Sequence, residues 1–167
     1  MVRTERANLP PLTNHVQITD HPYCMLVFSD AHFEGHETVS FKIMCDVLKD
    51  LVKTRQLKLV VANGDIMDLS ILSSFAKYHT EIRPQERTVQ KEIYDSQAQL
   101  NKIQRILDRA KYPIKQIATF GNHETRLSRV AMSWGIAFED LEAFKIQSLF
   151  PDWEWAMSHL VDDTVIV

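Results

Sequence analysis

The sequence predicts an α/β fold, a βαβ-type sheet covered by helices. Three observations carry that expectation. Short apolar runs occur at residues 23–28, 57–62 and 114–120. Each run closes in a polar cluster: Ser29-Asp30-Ala31-His32, Asn63-Gly64-Asp65 and Gly121-Asn122-His123-Glu124. Helical periodicity fills the two intervals between them. Strand, helix, strand, helix, strand is the alternation of a parallel sheet with helical crossovers.

Residues 1–20 are polar and are broken at Pro10 and Pro11. They lack the apolar stretch of a secretory signal. They are expected to precede the fold as a leader, with residues 21–167 forming the domain. The first run, 23–28, is short and mainly apolar, as a strand buried on both faces would be. Between 39 and 52, Ile43, Met44, Val47, Leu48, Leu51 and Val52 make one helical stripe. The second run, 57–62, follows. Residues 80–86 are polar, hold Pro84 and predict a loop. Between 89 and 107, Val89, Ile93, Leu100, Ile103 and Leu107 again keep to one helical face. The third run, 114–120, completes the alternation. Residues 139–149 predict a helix that ends before Pro151. The segment WEWAMSHLVDDTVIV predicts two strands joined near Asp162-Asp163, a hairpin. In it, Trp153-Glu154-Trp155 alternates like a half-buried strand, so the tryptophans are expected in the core.

Composition bounds the function. The chain has 167 residues, 45 % hydrophobic and 25 % charged, enough for one domain with a core. Its 19 basic and 22 acidic residues leave a formal charge of −3. That gives no bulk attraction to nucleic acid or to an anionic membrane. No apolar run approaches a membrane span. Cys24 and Cys45 lie in apolar segments and fit reduced core thiols of a cytoplasmic protein.

In an open α/β sheet, ligands bind beyond the carboxyl ends of the strands. All three polar clusters lie there, so Asp30, His32, Asp65, Asn122 and His123 are expected to converge. Asp30 and His32 alone would equally suit a loop. Together with the other clusters they offer carboxylate, imidazole and amide oxygen, a ligand set for divalent manganese, iron, zinc or magnesium.

The blocks DAH, GDIMD and GNHE, each after a strand and in this order, resemble the first three signature blocks of calcineurin-like metallophosphoesterases. The resemblance runs from about residue 23 to the end. It implies the α/β/β/α four-layer sandwich of that family and two divalent metal ions, with a bridging hydroxide that attacks a phosphoester. It also implies roles: Asp30 and His32 on the first ion, Asp65 bridging, and Asn122 on the second. His123 would serve as general acid at the leaving oxygen, or steady the phosphate. Asp68 and Glu124 would orient ligands, and Arg126 would bind substrate phosphate; a solvated arginine is the alternative for Arg126.

The departures narrow the reading. The family's later blocks, a lone histidine after a strand and a Gly-His-x-His, have no counterpart. His159 is the only histidine after His123, and it precedes the final predicted strand. The simplest expectation is that the sequence lacks the C-terminal portion of such a domain. A catalytically inactive relative serving binding or assembly is the rival. Asp68-Leu69-Ser70 and Thr119-Phe120 stand where protein serine/threonine phosphatases carry phosphate-gripping arginines. The nuclease and phosphodiesterase branches, or an uncharacterised group, are closer; a nuclease-type DNA-processing subunit is a further alternative, although the net charge lends no support to nucleic acid as partner. His36, four residues after His32 with Gly35 between, is expected at the rim. His15, His21 and His79 are assigned nothing.

Overall fold

The computed structural model of the protein describes residues 13–19, 22–33, 35–73, 88–133 and 146–167. The two long helices form where the periodicity places them. Helix α1, Val39–Thr54, buries Phe41, Cys45 and Leu48, steps of four and three on one face. The Thr38 hydroxyl accepts the Phe41 amide at 3.1 Å and caps its start. Arg55, at φ 61, ends it in the left-handed region. Helix α2, Val89–Leu107, starts the same way, with Thr88 accepting the Lys91 amide at 3.1 Å. Its buried face carries Leu100, Ile103, Ile106 and Leu107. It also buries Glu92, to which the Ser70 hydroxyl donates.

The helices pack on a parallel sheet of four strands, ordered β2-β3-β4-β5. The strands are Cys24–Phe28 (β2), Leu57–Asn63 (β3), Lys115–Thr119 (β4) and Glu154–Ala156 (β5). All three pairings are parallel. The strand β3 is central, and Leu59 to Ala62 are fully buried. One face of the sheet meets α1 and α2 through Leu57, Val60, Ala62 and Ala118. The other, through Leu59, Val61 and Ile117, packs on a second sheet at Val16, Val161 and Ile166. The second sheet, ordered β1-β6-β7, comprises Thr13–Val16 (β1), Ser158–Val161 (β6) and Thr164–Ile166 (β7). The architecture is thus α/β, with helices, a parallel sheet and a smaller sheet in three layers. Each large apolar side chain so buried contributes roughly 1.5–3 kcal/mol. No helix among the described residues is long and apolar enough to cross a membrane.

Three expectations need correction. Residues 13–16, assigned to a leader, form β1, which pairs in parallel with β6. Its sequence TNHV buries only Val16, so no alternation was visible. The stretch before Asp162 holds two strands rather than one. The chain leaves the first sheet after Ala156 and enters the second at Ser158, with Met157 exposed at the crossing. The β6–β7 pair itself is the expected hairpin, and its turn residue Asp162 lies at φ 49. The Asp162 carboxylate accepts the Ile18 amide at 3.1 Å and the Tyr23 hydroxyl at 2.7 Å, tying the hairpin tip to the segment before β2. That bond to a carboxylate holds the Tyr23 hydroxyl above its ordinary pKa. Finally, β2 is not buried on both faces: Met25 and Val27 are exposed, because the second sheet covers β3 and β4 only.

Trp153 and Trp155 are buried with Glu154 exposed between them, as the alternation requires. Cys45 is buried, and burial pushes its thiol pKa up. Cys24 is only half-buried, and both thiols are free. The helix expected at 139–149 is described only as Ile146–Leu149 (α4). The loop at 80–86, together with His21 and His79, lies outside the described residues.

His159 is fully buried on β6 and bonds the backbone oxygen of Ala118 in β4 through Nε2 at 2.9 Å. It staples the two sheets. Truncation by His159→Ala is expected to cost about 2–4 kcal/mol, mostly for the cavity. His159→Leu refills the volume and should cost less. Urea unfolding of both variants checks this. Equal losses from the two variants would make the hydrogen bond the dominant contribution.

Candidate metal centre

The three strand-end loops meet because the backbone keeps them in register past the sheet. Asp30 N donates to Gly64 O at 3.2 Å, His32 N to Asp65 O at 3.0 Å, and Phe33 N to Ile66 O at 3.0 Å. The loops after β2 and β3 thus continue their strand pairing. Among the described residues six non-glycine positions have positive φ, and three of them are Asp30, His32 and Asp65. Such a backbone costs roughly 1 kcal/mol per residue and persists where its surroundings enforce it.

Glu124 enforces it at Asp65. The side chain is fully buried. Its Oε1 accepts the amides of Ile66 at 2.8 Å and Met67 at 3.0 Å. Its Oε2 accepts those of Asp65 at 3.0 Å and Gly121 at 2.9 Å. One carboxylate therefore gathers four amides from two loops. The loops are also close: a methyl group on Gly121 would collide with the Asp65 carboxylate and amide, and one on Gly64, at φ 69, would meet Gly121 Cα at 3.1 Å. Only glycines allow this approach.

The result is a cluster of His32, Asp65 and His123, with one ligand atom from each within 4.8 Å of the others. The His32 and His123 rings pack edge to face at 4.4 Å. Asp65 Oδ1 also accepts the His123 amide at 2.9 Å, and the Asn122 amide group donates to Asp65 Oδ2 at 3.5 Å. The site is partly open, since Asp30 and Asn122 are exposed while His32, Asp65 and His123 are half-buried. His32 Nδ1 is buried without a hydrogen-bond partner, an atom that a cation would satisfy. Two imidazoles and a carboxylate are a donor set for zinc, iron or manganese.

Of the residues expected in the site, His32, Asp65 and His123 converge, and Asn122 joins at Asp65. Asp30 is on the same loop but outside that three-residue group. Asp68 lies beside both histidines, its Oδ1 3.6 Å from each Nδ1. Its backbone oxygen takes the His123 Nδ1 and, at 2.9 Å, the Arg126 guanidinium. Arg126 Nη2 also donates to His123 Nε2 at 2.7 Å. Arginine only donates, so His123 Nε2 is the acceptor, and Nδ1 carries the proton facing Asp68 O. Arg126 and Arg129 sit on the short helix α3, Thr125–Ser133, which follows the third block. Arg129, which the motif reading missed, donates to Asn122 O at 3.0 Å. Its spacing of three from Arg126 was the available signal. His36 is exposed, and His159 is buried between the sheets; neither belongs to the cluster.

Fold and cluster together define an α/β protein with a candidate metal site at the carboxyl ends of its parallel strands. In comparisons with known proteins, no family model, no curated protein and no solved structure matches this chain.

Proposed function

We propose that the protein is a metal-dependent phosphoester hydrolase of the calcineurin-like metallophosphoesterase type, acting in the cytoplasm. The observation that carries this reading is the convergence of His32, Asp65 and His123 from three separate strand ends. A divalent ion held there would supply Lewis acidity and a water-derived nucleophile at neutral pH. His32 and Asp65 would hold it, with Asp30 and Asn122 completing the ligands of a two-ion centre. Glu124 fixes the Asp65 backbone. Arg126, tied to backbone oxygen and to an imidazole, would receive a phosphoryl oxygen. His123 sits between Asp68 and Arg126, where a turn of its ring would bring a proton to a leaving oxygen. The helical, parallel-sheet and second-sheet layers agree with three of that family's four.

Manganese titration by calorimetry, followed by assay on bis-p-nitrophenyl phosphate, tests the reading. Metal binding is expected, with slow hydrolysis that a chelator abolishes. His123→Ala should keep the metal yet slow hydrolysis by about 10²–10⁴-fold for an alkyl leaving group, and less for p-nitrophenolate. Loss of metal from that variant would make His123 a ligand instead. Binding without any chelator-sensitive hydrolysis would favour the inactive relative, and absence of binding would remove the proposal.

A further inference from the structure

The net charge of −3 hides an uneven distribution. Two adjoining clefts of about 470 and 380 Å³ run between α1 and α2 and share Lys49, Ile106 and Arg109. Eight basic side chains line them against two acidic ones, so this groove is positive on a negative protein. Half of the basic side chains are answered locally: Lys49 pairs with Asp46 and Lys53 with Asp50, each at 2.8 Å, while Glu37 takes Lys102 at 2.5 Å and Lys42 at 4.0 Å. Arg55, Arg105, Arg109 and Lys111 are exposed, and among the described residues none has a carboxylate partner. Lys49 and Arg109 repel one another. Like charges gathered along a concave surface raise the local potential and attract an extended anion.

The groove follows α1 from Phe41 to Arg55, a rise of about 21 Å. That is long for a single phosphate and suits an extended polyanion. A lipid surface would need apolar side chains among the bases. The exposed Val39, Ile43 and Val47 instead follow one another at steps of four on α1, and none of them lines the groove. We infer that the α1–α2 groove binds the backbone of a single nucleic-acid strand, with Arg55, Arg105, Arg109 and Lys111 on its phosphates. The inference goes beyond the hydrolase reading and stands apart from the metal cluster.

Fluorescence anisotropy with labelled oligo(dT), in chelator, tests it. The protein should bind saturably and more weakly as salt rises. The double variant Arg105→Ala, Arg109→Ala should weaken binding about tenfold or more and lower the slope of log K against log salt by about 1.4. Both side chains are exposed, so circular dichroism should be unchanged. Lys91→Ala with Lys115→Ala, a matched charge loss outside the groove, should shift affinity by less than about twofold. Because the assay runs in chelator, with no metal bound, failure here is separate from failure of the metal site. No saturable binding below about 0.1 mM at low salt, or equal losses from both double variants, would overturn the assignment. So would binding confined to phosphatidylserine vesicles.

Discussion

Glu124→Gln is expected to destabilise the protein by about 2–5 kcal/mol and to scatter the metal cluster with it. The carboxylate accepts four backbone amides from the two loops. A glutamine keeps one acceptor oxygen and turns an NH₂ toward two of those donors. Each buried N–H left without an acceptor costs about 1–3 kcal/mol. The two amides that lose their acceptor are either Asp65 and Gly121 or Ile66 and Met67, so a site loop is disturbed in either orientation. Denaturant unfolding measures the stability, and manganese titration of the folded variant measures the site. A variant with parental stability and metal affinity would mean that the backbone path does not depend on this side chain.

Asp65→Ala is expected to lower metal affinity about 100-fold or more, the largest loss of any single site residue. Removing a supporting group around a metal already costs about 10–100-fold, and Asp65 supplies both a ligand oxygen and the acceptor for the His123 amide. If Asp65 bridges two ions, the substitution should abolish both binding events, whereas His32→Ala should weaken chiefly one. Equal and independent losses from the two variants would sink the bridging assignment. Asp65→Asn isolates the charge, because its amide oxygen can still accept from His123 N.

The two long helices were legible nearly residue for residue. Their apolar stripes are local signals. Three of the four strands of the parallel sheet, β2, β3 and β4, were equally plain, since each is a short apolar run closed by polar residues. Strand β1 was not, because TNHV earns its place only by pairing with Ser158–Val161, about 145 residues away. The split between β5 and β6 was hidden for a related reason. Trp153 to Val161 alternates well enough for one strand, and only the positions of two different sheets show that Met157 is the crossing.

In the site, the sequence by itself determined which residues stand at the strand ends and that they meet. Hydrophobic runs set the strands, and parallel strands bring their carboxyl ends to one edge. Which of those residues form the tight group was decided by the tertiary structure. Asp30 and His32 are two apart on one loop, yet His32 and not Asp30 joins Asp65 and His123. Left-handed backbone at three positions and the loop pairing from residue 30 to 33 set that difference. Nor could the order of residues show Glu124 holding four amides, His159 spanning two sheets, or eight basic side chains facing one groove. Each depends on groups distant along the chain becoming neighbours, and no local pattern records a contact whose two halves are written far apart.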